Sequence, residues 1–205
     1  MNPRSKLRDK LREATSDAIL TAAEQVFARD GLHAAKVDDI AVQAGVSVGT
    51  LYNYFPDREG LLQALMEVRR GDLLEHIDEM LARDSGQPFV AQLEDFLRAV
   101  FDHFDTHRAF FQIVFQAELQ KGKLPGSGAK KDAMQQMYER ANAVIQRGLN
   151  RGELRPELAD LYPGLLMGLV RSVMIVRVFH ASGALAGRAG ELAHFFMKGA
   201  GAQHV

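Results

Sequence analysis

"GVSVGTLYNYF", residues 45–55, decides how the whole chain is interpreted. Its first five residues match G-x-S-x-G, the motif with which hydrolases present a nucleophilic serine on a sharp turn between a strand and a helix. The same residues also fit the start of a helix that Ser47 caps with its hydroxyl. The first interpretation predicts an enzyme, and the second predicts a helix that contacts a partner.

The residues before this stretch favour the second interpretation. A nucleophile elbow needs a β-strand leading into the turn. The preceding segment "VDDIAVQA" (37–44) instead carries apolar residues at helical spacing, namely Val37, Ile40, Ala41 and Ala44. We therefore expect two helices joined by a tight turn, with a Ser47 hydrolase as the alternative.

The turn and the helix after it have a simple predicted geometry. Gly45 is suited to the left-handed conformation that ends a helix, and Ser47 begins the next helix. At 100° per residue, one stripe of that helix is apolar and is expected to be buried: Val48, Leu51 and Phe55. The opposite face carries small and polar residues, with a tyrosine on each side of it: Gly49, Thr50 and Asn53, flanked by Tyr52 and Tyr54.

That outward face suits a helix lying in the major groove of DNA. Its small residues allow a close approach, Thr50 or Asn53 can hydrogen-bond base edges, and tyrosine hydroxyls can reach phosphates. The alternative is an ordinary solvated face with incidental tyrosines.

The rest of the chain predicts an all-α protein. Apolar residues recur every three or four positions between proline and glycine breaks, and Asp57 has the position of an N-cap. The predicted helices are Thr15–Arg29, 37–44, 48–55, a long one after Asp57, 88–104, 107–120, 129–151, 158–182 and 189–199. We expect residues 1–56 to form a three-helix helix-turn-helix domain, with a basic arm at 1–12, and residues 57–205 to form a helical bundle.

Composition limits the possible functions. The chain has 205 residues, no cysteine and a formal net charge of −1, so disulfides and thiolate metal sites are excluded. Residues 4–12 carry five basic residues and one acidic residue, whereas residues 13–60 carry three basic and eight acidic residues. The basic surface expected of a DNA-binding protein is therefore concentrated in the arm. The most apolar run, 161–179, contains Arg171 and Arg177, so we expect no membrane span and a cytoplasmic protein.

Residues 12–62 resemble the DNA-binding region of the TetR family of bacterial regulators. The resemblance is carried by "GLHAAKVDDIAVQAGVSVGTLYNYFPDREGLL" (31–62), which covers the helix-turn-helix and the start of the next helix. It implies a cytoplasmic, nucleoid-associated transcriptional regulator that binds a palindromic DNA operator as a homodimer. The implied DNA-contacting residues are Lys36, Val37, Ser47, Val48, Gly49, Thr50, Tyr52, Asn53, Tyr54 and Arg58. The chain departs from the family at Ala35 and Lys36, where a hydroxyl residue usually caps the helix.

The resemblance also implies a small-molecule effector, which we expect to be apolar or amphipathic, bound within the C-terminal bundle. The candidate pocket residues are aromatic side chains and methionines of this region and one arginine: Phe101, Phe104, Phe111, Phe115, Met134, Met137, Tyr138, Met167, Arg171 and Met174. Aromatic residues and methionines at helical spacing are more often ordinary core. Arg171 lies in the middle of an apolar helix, so we expect it to be buried against a carboxylate of this protein or an anionic ligand.

We expect neither a cofactor nor a metal. His103 and His107 have the i, i+4 spacing of metal ligands, but "DTHRAFF" (105–111) predicts a new helix capped by Asp105 or Thr106, which would separate them. The helix at 158–182 is apolar almost all round, so one side is expected to meet a second copy together with the last helix. A monomer that covers these residues internally is the alternative. We therefore expect a repressor that is released by its effector. The competing function is a helical scaffold protein that does not bind an operator.

Overall fold

The computed structural model describes residues 3–83, 86–121, 127–179 and 183–200. In these ranges the helices are α1 (Pro3–Ala34), α2 (Val37–Ala44), α3 (Val48–Tyr54), α4 (Arg58–Ala82), α5 (Phe89–Thr106), α6 (Arg108–Lys121), α7 (Ser127–Asn150), α8 (Tyr162–Phe179) and α9 (Ala189–Ala200). Short 3₁₀ turns at Pro156–Leu158 and Ala186–Arg188 precede α8 and α9. No strand occurs in the described ranges, and the all-α prediction is confirmed.

Most helix limits agree with the predicted ones, and the differences have local causes. The Asp57 carboxylate accepts a hydrogen bond from the Gly60 N–H at 2.7 Å, which confirms the predicted cap of α4. The α8 helix begins at Tyr162 rather than at residue 158. Pro163 then lies in the first turn, where its missing N–H costs no helical hydrogen bond. The predicted end of this helix at residue 182 lies outside the described residues.

The predicted cap of α6 is wrong. The α5 helix continues to Thr106, whose hydroxyl donates to the Asp102 carbonyl at 2.8 Å. The Asp105 carboxylate accepts from the Ala186 N–H at 3.1 Å. Both side chains are therefore engaged elsewhere, and Asp105 joins α5 to the turn before α9.

The basic arm is part of α1. This helix was predicted from Thr15 but begins at Pro3, and its regular geometry is interrupted only at Gly31, where φ is +83°. We call the part of α1 that precedes Thr15, residues 3–14, the α1 extension. Leu7 and Leu11 are exposed, so this extension has little apolar packing of its own. Its lysines, arginines and leucines are strong helix formers, which accounts for a helix where apolar periodicity gives no signal.

One compact unit consists of Met1–Arg69 and Ala109–Gly126. Its core combines buried side chains of α1 to α4 with Phe110 and Val114 of α6. Arg69 and Glu24 form an ion pair at 2.6 Å in which each side chain is only 15% exposed. This pair joins α4 to α1, and pairs of this kind are costly to break on one side only.

The second compact unit consists of Arg70–Arg108 and Ser127–Val205. Within it α5 packs against α7 and α9, and α7 packs against α8. A close approach occurs at Gly148 of α7, where a Cβ atom would lie 2.8 Å from the ring of Phe89 and 2.9 Å from Leu154. Glycine at this position therefore permits tight packing of buried side chains.

Apolar side chains remain exposed on and beside α8 and on α9. We call Leu161, Leu165, Val176 and Phe195 the α8–α9 apolar surface. Leu161, Leu165 and Val176 fall within about 60° of one another around the helix axis, so they form one stripe. None of the described helices is long and apolar enough to cross a membrane.

Candidate nucleic-acid interface

The turn between α2 and α3 is held by backbone hydrogen bonds. Gly45 has φ +71° and ψ +28°, the left-handed conformation, and its N–H donates to the Val42 carbonyl at 3.2 Å. The Val46 N–H donates to the Ala41 carbonyl at 3.0 Å. These two bonds occupy carbonyls that the end of α2 would leave without partners. The predicted role of Gly45 is confirmed.

Ser47 caps α3 as predicted. Its Oγ accepts a hydrogen bond from the Thr50 N–H at 3.0 Å and lies 2.8 Å from the Thr50 Oγ1. An α-helix precedes the turn, so the strand that a nucleophile elbow needs is absent from residues 37–54. In this arrangement Ser47 orders the first turn of α3 and positions the Thr50 hydroxyl.

The α3 helix has a buried stripe and an exposed face. Leu51 is 1% exposed and Phe55 is also buried. Three residues are exposed to solvent: Gly49, Tyr52 and Asn53. Val48, Thr50 and Tyr54 are half-buried, and Val48 and Tyr54 pack against the core of their unit. The exposed face therefore consists of small and amide residues beside one prominent tyrosine.

The contact between the α1 extension and α3 was not predicted. The Arg12 guanidinium carbon lies 5.9 Å from the centre of the Tyr54 ring, within the range of a cation–π interaction. The contact joins residues separated by more than forty positions, so no local pattern of the sequence signals it. It brings the basic extension next to the helix whose outward face is the candidate DNA-contacting surface.

The other predicted DNA contacts lie around the same unit. Lys36 is exposed and occupies the N-cap position of α2 without a side-chain cap bond, as expected from the missing hydroxyl residue. Val37, the first residue of α2, is half-buried. Arg58 is half-buried: its Nη1 donates to the His33 carbonyl at 3.4 Å, and its Cζ lies 5.9 Å from the centre of the Phe27 ring.

The acidic residues of α2 have a structural explanation. Asp38 and Asp39 lie in its first turn, where carboxylates interact favourably with the N-terminal end of the helix dipole. This interaction supports a helix end that has no side-chain cap. The same charges oppose an approaching phosphate, and the exposed Lys36 beside them carries the opposite charge.

Replacing Ser47 tests its structural role. We expect Ser47→Ala to lower the free energy of unfolding by roughly 0.5–2 kcal/mol, because the Thr50 N–H loses its acceptor. Ser47→Asn is the matched control, since asparagine is an equally good cap, and should retain most of the stability. Chemical denaturation followed by circular dichroism measures both. Equal stability of the alanine variant and the parent would contradict the cap, and loss of an esterase activity in that variant would support the hydrolase.

The candidate pocket residues have different environments. Phe101 and Phe104 are buried, and Met137, Met167 and Met174 are half-buried, all in the second unit. Phe111 and Phe115 are half-buried and belong to the first unit, where Phe111 packs against the core. The most accessible candidates are Met134, Tyr138 and Arg171.

The prediction that Arg171 is buried is wrong. Arg171 is exposed, whereas Arg177 of the same helix is only 5% exposed. The two positions are about 120° apart around the axis, so the buried side of α8 includes residue 177 and not residue 171. An apolar run without clear periodicity does not specify which of its arginines faces inward.

Among the cavities lined by described residues, two lie in the second unit, and none of the ten candidate residues lines either of them. The first has about 340 Å³ and is bordered by Arg83, Arg98 and Arg147 over a floor that includes Ala99 and Val144. We call it the arginine-lined cavity. The second has about 310 Å³ and is lined mainly by aliphatic side chains: Val173, Val176, Ala184, Leu185 and Leu192. We call it the aliphatic cavity.

His103 and His107 lie closer together than the predicted helix break implied. Their ring centres are 4.9 Å apart, because α5 continues through both positions up to its C-cap. Among the described residues, no group of three His, Cys, Asp or Glu side chains is arranged to hold a metal ion.

The chain is similar to known proteins in sequence and in structure. Residues 19–65 match the profile of the family described as "Bacterial regulatory proteins, tetR family". The HTH-type transcriptional repressor KstR2 of Mycobacterium tuberculosis is 30% identical over 146 residues, 68% of this chain and 69% of that protein. The fatty acid metabolism regulator protein of Bacillus subtilis is 28% identical over 142 residues, 68% of this chain and 71% of that protein. The crystal structure of FadR from Bacillus subtilis in complex with stearoyl-CoA superimposes with a TM-score of 0.77 at 23% identity, covering 89% of this chain and 97% of that one.

Proposed function

We infer the roles of individual elements from the premise that this chain belongs to the tetR family of bacterial regulatory proteins and is a DNA-binding transcriptional regulator. We propose that residues 1–56 bind the operator, that α3 enters the major groove, and that residues 57–205 bind the effector and the second subunit. The observation that carries the proposal is the exposed face of α3, where Gly49 and Asn53 lie beside Tyr52.

The groups on this face suit different parts of DNA. Gly49 lets the helix backbone approach the base edges, and the Asn53 amide matches the donor and acceptor pair of adenine. The Thr50 hydroxyl is less available for hydrogen bonds to DNA, because it already lies 2.8 Å from the Ser47 Oγ. Tyr52 is 47% exposed, so its ring and hydroxyl are available to a base or a phosphate.

Basic residues at the edge of this surface are the proposed phosphate contacts. Lys36 lies at the start of α2, and the α1 extension carries Lys6, Arg8, Lys10 and Arg12. Arg12 already contacts Tyr54, so the extension starts next to the proposed groove helix. Residues 13–60 carry more acidic than basic side chains, and this net negative charge repels DNA. The basic side chains of the extension and Lys36 therefore provide the main electrostatic attraction for DNA.

The protein acts as a dimer on a two-fold operator. A palindromic site requires two recognition helices at a fixed separation, with half-sites roughly 34–36 Å apart. The α8–α9 apolar surface supports this function, because four large apolar side chains exposed on one unit are typical of an interface between copies. Stable dimer interfaces resemble a domain core cut in half.

We propose that an amphipathic molecule with an anionic group releases the protein from DNA. The arginine-lined cavity supports this class of effector. Arg147 is held in place by its Nη1, which donates to the Gln92 Oε1 at 3.1 Å, and by its Nη2, which donates to the Leu81 carbonyl. Asp95 and Asp102 also line the cavity and repel an anion, so any attraction for an anion comes from the three arginines. A relative of this fold is described in complex with stearoyl-CoA, a molecule with a long apolar chain and an anionic head.

Regulation without catalysis is the remaining part of the proposal. Ser47 is engaged in the cap of α3, and we assign it no nucleophilic role. The Ser47 variants described above test this assignment separately from DNA binding.

Selection from a random pool of double-stranded DNA tests the function. The expected result is enrichment of an inverted repeat whose half-sites are about one helical turn apart, with an affinity that falls steeply as salt is raised. Adding stearoyl-CoA, free coenzyme A or stearate to the purified complex then compares three effector classes. If the selection enriches no sequence, the assigned operator contacts are refuted. If a sequence is enriched but none of the three molecules releases the protein from it, only the effector class is refuted.

A further inference from the structure

Phe195 is the most exposed aromatic side chain among the described residues, and it lies next to the aliphatic cavity. It is 66% exposed in α9. Leu192, three residues earlier in the same helix, lines the cavity. Residues three positions apart lie on the same side of a helix, so the protruding ring and the cavity belong to one surface.

The cavity is open on the side of the α8–α9 apolar surface. Val176 is exposed and also lines the cavity, so the stripe of α8 runs up to its mouth. A protein cavity of about 150 Å³ already accommodates a benzene ring, and the aliphatic cavity has about 310 Å³. Its size and its aliphatic walls therefore suit a phenylalanine side chain.

Two-fold symmetry makes these features complementary. In an isologous dimer each subunit presents the same patch, so when a protrusion of one subunit meets a hollow of the other, the reciprocal contact forms as well. We propose that Phe195 of each subunit inserts into the aliphatic cavity of its partner. The proposal rests on the dimer assigned above and names the contact that determines which surface the two copies share.

The charged residues of the cavity favour an aromatic occupant. Arg177 lines the cavity and is almost fully buried, and a guanidinium packs favourably on the face of an aromatic ring. Arg188, also at the cavity, is held by Glu191 at 2.8 Å. An aromatic ring in the cavity can therefore contact a guanidinium favourably, whereas an aliphatic side chain has no ring face to offer.

Two substitutions separate the protrusion from the hollow. Phe195→Ala removes the ring, and Val173→Phe fills the cavity from α8. Each variant alone should form homodimers with a dissociation constant at least about tenfold higher than that of the parent. In a homodimer of Phe195→Ala both aromatic contacts are lost, and in a homodimer of Val173→Phe both are blocked. A mixture of the two should instead form heterodimers. In a heterodimer the ring of one subunit enters the one open cavity, and the filled cavity faces the position that has no ring.

Native mass spectrometry of a mixture in which one variant carries a mass tag measures this preference. The binomial fraction is the fraction of heterodimers expected when subunits pair at random. The two variants should give a heterodimer fraction well above it, while tagged and untagged parent chains should give the binomial fraction itself. Val42→Ala, which truncates an exposed apolar residue of α2, is the control and should also mix binomially. Leu192→Phe fills the same cavity from α9 and replaces Val173→Phe if that variant does not fold.

A binomial mixture of the two variants, or no heterodimer, overturns the proposal. If a small apolar ligand is the natural occupant of the cavity, Phe195 does not enter it, and the two variants mix at random. A parent protein that is itself monomeric refutes the assigned dimer, and operator selection with the parent reports on DNA binding separately. The heterodimer preference thus tests the insertion of Phe195, not the existence of a regulator.

Discussion

Phe195→Asp is expected to leave the protein monomeric or aggregated and to abolish operator binding, although the substitution lies far along the chain from α3. Phe195 is 66% exposed in the isolated subunit, so the carboxylate costs little there. In an apolar interface between copies the same carboxylate is buried without a partner, which costs several kcal/mol. A dimer with two such groups is lost, and one recognition helix alone cannot bind both half-sites.

Light scattering and a gel-shift titration measure these two consequences. Met134→Asp is the matched control, because it places the same charge on another exposed apolar residue of the second unit. This control should keep the mass of a dimer and the parent affinity for DNA. A dimer of normal mass for Phe195→Asp would place the interface on another surface.

Tyr52→Ala is expected to weaken operator binding by roughly 1–3 kcal/mol, about 5–150-fold, with little change in stability. The side chain is 47% exposed on the outward face of α3, so its removal leaves the buried contacts of Leu51 and Phe55 in place. Tyr52→Phe retains the ring and removes only the hydroxyl, and therefore distinguishes stacking from a hydrogen bond to phosphate.

Fluorescence anisotropy with the selected operator measures the affinity, and thermal unfolding checks the fold. Tyr138→Ala makes the same truncation at an exposed tyrosine of α7 and should bind the operator like the parent. An unchanged affinity for Tyr52→Ala would remove Tyr52 from the DNA contacts. An equal loss in stability would instead assign it a structural role.

The segment from α2 to α3 could be predicted from sequence because each of its determinants acts locally. The left-handed Gly45, the Ser47 cap and the Leu51 stripe each depend on residues within one or two helical turns. The Asp57 cap of α4 is local in the same way. Local hydrogen bonds and periodicity therefore specify the geometry of the candidate site.

Features that depend on distant contacts were missed or misassigned. The sequence did not indicate that Phe110 and Val114 of α6 join the core around α1 to α4, or that Arg12 contacts Tyr54. Arg171 was expected to be inside, but Arg177 is the buried arginine. Apolar periodicity identifies the helices but not their neighbours, and in an almost uniformly apolar helix it does not distinguish the inner side from the outer side.

The continuation of α1 to Pro3 has a thermodynamic consequence for DNA binding. Ordering a residue of a flexible arm costs about 1–2 kcal/mol of backbone entropy at the moment of binding. Here the basic residues of the extension belong to a helix in the free protein, and Arg12 is further restrained by Tyr54. The entropy of this segment is lost when the protein folds, so its association with phosphates resembles the docking of a rigid body rather than coupled folding and binding.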